Sequence, residues 1–570
     1  MIPEDRYKIT SNEYMDLIIK YNGNPNSLKE YEKYSVHIMN IAYAVLYLPI
    51  SQFTDRLVTE FGYSSIPKCY ALTQQSLEES GVTKLRNIPA LNLRGKGVII
   101  GIIGTGIDYT NPVFLHKDGT TKILAIWDQS IDSENRYPQV INPAFYGTEY
   151  TRDQINEALR SENPYQIVPS LDENGHGTKL AGIAAGSETV YNGFSGVVPD
   201  ADIIVVKLKQ AKKNLTDFFH IPSDIPCYQE NDMIWAIQYL IDTARIHKMP
   251  LSICIGLGTS QGAHDDNGPL NTIVSIVGGF PGVSISVSAG NEGNSRRHFY
   301  SALEPSLGSV TVELVVGENE SGFSMELWGD PPMIYAMDIT SPAGEYIAAT
   351  SGQLEETQTI HFVFEQTIIN IDYVMIEQET GKQVIILRFM NPTMGIWRFK
   401  VNGRGDINGA FHLWLPNENY ISKNTYFLNS NPYTTITSPG NCLIPITTTA
   451  YNSNSNVLYP NAGKGYSTSN IINPDLAAPG VNLPCPDLNH GLTTITGSSA
   501  AAAFTTGITA MLLDWGIVRN NYPGLNSVSI KKFLMRGAKR VNNLQYPNRD
   551  WGYGIIDIYD VFNIFRMDIK

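Results

Sequence analysis

The chain of 570 residues is poor in cysteine. It has Cys69, Cys227, Cys254, Cys442 and Cys485, odd in number, far apart and without metal-ligand spacing. That pattern excludes a disulfide scaffold and a cysteine-based metal centre, and it implies buried free thiols. Basic side chains are also short: 41 Lys and Arg stand against 55 Asp and Glu, a net charge of −14. The deficit excludes nucleic acid and anionic membrane surfaces as main partners. The N-terminus, MIPEDRYKITSNEYMD, lacks the apolar core of a secretory leader. Long apolar runs are lacking too. GVIIGIIGTGI is broken by glycines and too short to cross a bilayer, so a soluble chain without a membrane span is expected. No cofactor or metal is expected either.

What is present is globular in character. Apolar residues make up 42% and aromatics 10%, and the length suggests roughly two to four domains. Residues 1–75 read as a small α+β unit. SNEYMDLIIKY has helical spacing, YSVHIMNIAYAVLYLP alternates as one or two strands, and ISQFTDRLVTEFGY opens as a helix. SSIPKCYALTQQS follows as an extended segment. Over 76–308 the pattern alternates. GVIIGIIGTGI, ADIIVVKLK, LSICIGLG and VSISVSAGN read as buried strands, with helices at GTKLAGIAAG and NDMIWAIQYLIDTARIHK. This is the signature of an α/β domain built on a parallel sheet. Over 309–438 the helices stop. SVTVELVVG, FSMELWG, MIYAMDIT, YIAATSG, TIHFVFEQ, NIDYVMIEQ, QVIILRFM, GIWRFKVNG and AFHLWLP are short alternating runs, as in an antiparallel sandwich. The α/β pattern resumes over 439–570, so the sandwich reads as an insertion. Arg404-Gly405-Asp406 reads as a turn.

Three sites carry possible chemistry. In NGHGTKLAGIAAG, His176 starts a helix between Gly175 and Gly177, which leave room beside the imidazole. In TITGSSAAAAFTTGITAMLLDW, Ser499 lies just before a long apolar helix, at the end that favours developing negative charge. Its bland alternative is an N-cap. In SVSAGNEGN, Asn291 follows a strand, where an amide can donate to an oxyanion; its bland alternative is a turn.

The ordered pieces GTGID, NGHGT, SAGNEG, LAAPG and TGSSAAAA resemble the blocks of the subtilisin-like serine proteases. LNLRGKGVIIGIIGTGIDYTNPVF, ILAIWDQSI, DENGHGT, LGTSQGAHD, FHLWLP and WGYGIIDIYDVF further resemble the Csp branch, which acts in bacterial spore germination. The resemblance implies that residues 1–75 are a prodomain, that 76–308 and 439–570 are the two parts of a subtilase domain, and that 309–438 is an inserted jelly roll. It assigns Ser499 as nucleophile, His176 as base and Asn291 as oxyanion donor. It also lays the prodomain's last strip, Cys69, Tyr70, Ala71, Leu72, Thr73, Gln74 and Gln75, in the substrate cleft.

One family residue is missing. Where the motif has Asp-Thr-Gly, this chain has Gly104-Thr105-Gly106. Glycine cannot orient the imidazole or stabilise the imidazolium, and neither Asp108 nor Asp172 is expected to substitute. Smaller departures are Gly497-Ser498-Ser499 in place of Gly-Thr-Ser, and Cys254 and Gly256 where relatives often have Asn and Ser. In subtilisin, loss of the triad aspartate alone lowers turnover about 3 × 10⁴-fold. From a typical ~10 s⁻¹ this leaves on the order of 3 × 10⁻⁴ s⁻¹, a half-life of roughly 40 minutes for one turnover. The resemblance therefore implies a pseudoprotease in the spore. Its partners would be a related active germination protease, the zymogen of a cortex hydrolase, or other germination regulators. The alternative is an active or weakly active serine endopeptidase that processes that zymogen. Carbohydrate binding by the sandwich and small-molecule sensing are further possibilities, resting on fold analogy alone.

Overall fold

The computed structural model describes residues 3–31, 33–52, 56–72, 82–86, 88, 91–132, 146–188, 193–305, 308–349 and 355–567. Its centre is a sheet in which Ile446–Asn452, Val283–Ser288, Leu251–Ile255, Ile99–Gly104, Asp202–Lys207 and Ile123–Asp128 run parallel in that order. Thr148–Thr151 and Val457–Leu458 pair antiparallel at its edges, and Leu476–Pro479 pairs parallel with Ile446–Asn452. The expected α/β class is thus what forms. Strands buried on both faces explain the unbroken apolar runs. Along Ile99–Gly104, Ile100 and Ile102 join the core beneath His176–Ala185 and Ser498–Leu513. Ile99 and Ile103 join the core beneath Glu230–His247 and Pro269–Gly278. From Ile99–Gly104 the chain lays all the strands of one side, Asp202–Lys207 filling the adjacent place last, and then builds on the other. The strands' carboxyl ends at that reversal are where α/β sheets form sites.

One expectation about apolar length is corrected. Helical residues Ser498–Val518 are long and apolar enough to span a bilayer, with mean hydropathy 1.4, but 83% of that stretch is buried inside the protein. All sixteen residues of Ser498–Leu513 are buried. Ser252 on the central sheet bonds Thr506 O at 2.9 Å and Thr509 Oγ1 at 2.6 Å, so this is a core helix rather than a membrane helix.

A second correction concerns the N-terminal segment. The stretch expected as a helix forms the strand Tyr14–Lys20, paired with Tyr43–Pro49, which also pairs with Ser35–Ile38. Met15, Leu17 and Ile19 face one core and Ile18 another, a period of two that outweighs the helical spacing. Among the described residues, Pro3–Thr10 and Leu57–Phe61 are the segment's α-helices, and Pro25–Tyr31 is a 3-10 helix. Asp16, on the buried strand, accepts from Gln229 Nε2 and Asn231 Nδ2, both at 2.9 Å, and from the Lys212 ammonium. A charge buried at this depth requires such a complement of donors.

The nine alternating runs all contain strand. With His298–Leu303 and Tyr426–Phe427 they assemble into a six-stranded and a five-stranded antiparallel sheet with a shared apolar core. His298–Leu303, which precedes residue 309, pairs with Gly409–Trp414 and so belongs to the same sheet. Arg404-Gly405-Asp406 lies where the chain leaves Gly395–Arg404 toward Gly409–Trp414, a connection as expected. His264 stacks on Trp414 with centroids 4.1 Å apart, joining this unit to the central one. All five cysteines are free and buried.

Lys122 is fully buried, and its ammonium donates to Ala185 O at the end of His176–Ala185 and to Pro199 O at 2.6 Å. A cation there complements the negative end of the helix dipole. Burial lowers its pKa from 10.5 to about 7, opposed by Asp200 and Asp202 and assisted by Arg94. Below that pH the folded and unfolded chains both hold the proton, and the cost of burying the charge is present in full. Between about pH 7 and 10.5 only the unfolded chain holds it, so this residue's contribution to stability rises with pH. Urea unfolding of wild type and Lys122→Met at pH 6.5, 8 and 9.5 is expected to show the difference moving in favour of wild type as pH rises. A difference independent of pH would contradict the assignment.

Candidate active site

Gly104 closes the strand Ile99–Gly104. A Cβ built on it meets no atom within 4 Å, so the place where a carboxylate would stand is open. The residues after it do the structural work. Thr105 Oγ1 accepts the Gly177 amide at 2.8 Å. A Cβ on Gly177 would lie 2.1 Å from Gly106 O, so only glycine permits this approach of helix to loop. Asp108 donates its amide to Thr178 Oγ1 at 2.8 Å.

Asp172 sits beside the same helix start. Its Oδ1 accepts from Gly175 N at 2.8 Å, and its Oδ2 accepts from Thr178 N at 2.8 Å and Thr178 Oγ1 at 2.7 Å. It is buried and accepts the amides that have no acceptor within the helix at its positive end. Asp108 Oδ1 accepts from Thr110 N at 3.1 Å and Thr110 Oγ1 at 2.6 Å, and its Oδ2 lies 3.2 Å from His490 Nε2. Both acids are therefore committed elsewhere.

His176 is the first residue of His176–Ala185 and is buried. Its Nε2 lies 3.1 Å from Ser499 Oγ. Ser499 falls in the first turn of Ser498–Leu513, two residues further in than expected. The cap position belongs to Gly497, whose φ of 145° favours glycine, so Ser499 is not the N-cap. Gly256 runs close beside the pair: a Cβ there would lie 2.6 Å from Leu180 Cδ1 and 3.0 Å from Ser499 Cβ. The Ser498 amide donates to Asn291 Oδ1 at 3.1 Å. An N–H can face only the amide's oxygen, so the NH₂ of Asn291 is left for other acceptors beside the serine turn. The structure thus brings His176, Ser499 and Asn291 together around the carboxyl end of Ile99–Gly104.

The strip Cys69–Leu72 runs into this site as a strand. On one side Ala71 pairs with Gly258 and Leu72 with Leu257; on the other Cys69 pairs with Gln229 and Tyr70 with Tyr228. Tyr70 and Ala71 are buried, and burial holds the Tyr70 hydroxyl well above its ordinary pKa. Thr73, Gln74 and Gln75 lie outside the described residues. The wall Tyr228–Gln229 was not legible in advance. Its only signal is an extended pair immediately before Glu230–His247.

The model of the subtilase family (Peptidase S8) matches residues 95–320 and 417–554. The chain belongs to the subtilase family. This subtilase is 28% identical to the CspB protease of Clostridium perfringens, whose structure superposes with a TM-score of 0.75 over 85% of this chain and 98% of that one. It is also 29% identical to the subtilisin-like protease SBT1.9 of Arabidopsis thaliana over 124 residues, which span 20% of this subtilase and only 16% of the relative.

The open space at Gly104 and the close approach at Gly177 give opposite expectations for substitution. Gly104→Asp should leave the thermal midpoint within a few degrees of wild type. Gly177→Ala should cost about 3 kcal/mol or more, because backbone must move. Calorimetric unfolding of the two variants measures both, and a Gly104→Asp protein as damaged as Gly177→Ala would refute the open-space reading.

Proposed function

We propose that this subtilase is a pseudoprotease that regulates spore germination. The observation that carries the reading is the combination of an empty carboxylate position at Gly104 with a histidine–serine pair still 3.1 Å apart. The nucleophile would be Ser499, the base His176 and the oxyanion donor Asn291. Glycine at position 104 offers no carboxylate to the imidazolium formed on proton transfer, so catalysis falls by about 3 × 10⁴-fold if the example of subtilisin holds. Residues 1–75 would be the prodomain, retained as inhibitor. Its strip Tyr70, Ala71, Leu72, Thr73, Gln74 and Gln75 would fill the cleft, a role supported by the pairing of Cys69–Leu72 with both cleft walls. The segment 309–438 would be an inserted jelly roll, as suggested by the gap from 321 to 416 in the family match and by its two antiparallel sheets.

The similarity to CspB supports a place in the spore beside a related active protease. There this chain would bind that protease, the cortex-hydrolase zymogen or another germination regulator rather than cut it. A second reading is favoured by the intact His176–Ser499 distance: a slow endopeptidase that acts on the zymogen or on its own prodomain.

Intact mass over time separates the two. Purified wild type is expected to stay whole, or to be cut near residue 75 only over hours, with Ser499→Ala uncut. Gly104→Asp is expected to cut itself at least about a thousandfold faster than wild type. Wild type that is fully cut within minutes while Ser499→Ala stays whole would overturn the pseudoprotease reading in favour of the endopeptidase.

A further inference from the structure

The strip is held by more than the cleft. Glu326 lies on the sandwich strand Gly322–Gly329 and is 3% exposed. Its carboxylate accepts from three donors: the Tyr63 hydroxyl of the N-terminal segment, the Gly262 amide at 2.9 Å, and its neighbour Trp328 Nε1 at 2.9 Å. Gly262 follows the cleft wall Leu257–Gly258, so one buried carboxylate ties all three parts of the chain together. The Tyr63 ring lies against Trp328 with centroids 5.7 Å apart.

The turn from Tyr63 to the strip is equally fixed. Lys68 Nζ donates to Tyr63 O at 3.1 Å and Ile66 O at 2.7 Å, and sits 4.0 Å from the Tyr63 ring centroid. The Lys68 amide donates to Glu230 Oε2 at 3.1 Å, and the Cys69 amide to Gln261 Oε1 at 2.8 Å. Movement of Tyr63 is thereby transmitted to the first residue of the strip. A second buried carboxylate of the segment, Asp16, is held by the central domain, through Lys212, Gln229 and Asn231. The segment also meets the sandwich through Lys20 with Glu379 and Thr59 Oγ1 with Thr357 Oγ1 at 3.1 Å, but of the two buried carboxylates it is the one at Tyr63 that depends on where the sandwich sits.

We infer that Glu326 is a latch through which the β-sandwich keeps the strip Cys69–Leu72 seated, so that a partner drawing the sandwich away from Tyr63 would unseat the strip and open the cleft. This rests on reading the N-terminal segment as the cleft's occupant, and adds that the sandwich regulates it. Buried hydrogen bonds to an ionised group are worth enough that losing one raises an escape rate about tenfold or more.

The test breaks the chain without using its own active site. A recognition sequence for an unrelated protease is placed between residues 76 and 80 of the full chain, the chain is cut there, and the rate at which the N-terminal fragment leaves is measured. Wild type is expected to retain the fragment for hours. Tyr63→Phe and Glu326→Gln should each release it about tenfold faster or more. The double variant should be little faster than the quicker single one, since each removes the charge-assisted bond between Tyr63 and Glu326, the amide of Gln leaving only a neutral one in its place. Thr359→Ala, on an exposed sandwich position, serves as control and should behave as wild type. Release from Tyr63→Phe and Glu326→Gln at the wild-type rate would overturn the latch and leave the occupant reading intact. Immediate release from wild type would overturn the occupant reading and the latch with it. If Glu326→Gln does not fold, Tyr63→Phe, which removes a single oxygen atom, decides the question.

Discussion

The site depends on one close contact: the His176 helix lies directly on the loop that follows Gly104. Gly177 approaches Gly106 so closely that no side chain would fit, Thr105 holds the Gly177 amide, and Thr178 is shared by Asp108 and Asp172. None of these interactions uses a side chain at position 104. The histidine is placed by backbone fit and capping, and the serine by a helix buried along its whole length. A glycine can therefore stand in for the triad aspartate without disturbing the 3.1 Å approach of His176 to Ser499. Geometry and chemistry are separable here, because different residues supply them.

The cleft follows from the same frame. Its walls, Leu257–Gly258 and Tyr228–Gln229, continue elements of the central domain, and the strip between them completes a three-stranded antiparallel sheet. Backbone pairing of this kind is indifferent to sequence, so specificity of retention has to come from the flanks. There the structure places buried charges: Asp16 among Lys212, Gln229 and Asn231, and Glu326 among Tyr63, Gly262 and Trp328. Such groups are costly to bury alone and are stable only with every donor in position. They join the N-terminal segment, the central domain and the sandwich into one cooperative unit.

Much of this was legible in the sequence. The runs GVIIGIIGTGI, ADIIVVKLK, LSICIGLG and VSISVSAGN had to be strands covered on both faces, and the short alternating runs from Ser309 onward had to be antiparallel. The blocks around Gly104, His176, Asn291 and Ser499 supplied the site by order alone. What failed did so for physical reasons. Tyr14–Lys20 carries apolar residues at spacings that suit a helix, but its partner Tyr43–Pro49 decides its conformation. The serine helix passes a length-and-hydropathy test for a membrane span, and only its packing shows that it is core. Tyr63 and Glu326 are 263 residues apart, and no local pattern links them. Contacts between distant parts of a chain, made by single polar groups, leave no periodic trace.

The central claim is that the reactive pair is placed but not activated. It is tested most directly by the rate at which a small fluorophosphonate modifies Ser499, followed by mass spectrometry in wild type and in Gly104→Asp. Only chains that are still uncut, which the mass resolves from cut ones, are compared, so the ratio reports activation and not loss of the N-terminal segment. The account predicts modification of Gly104→Asp faster by about a thousandfold or more. Equal rates in the two proteins would show that position 104 is not what the pair lacks, and would contradict it.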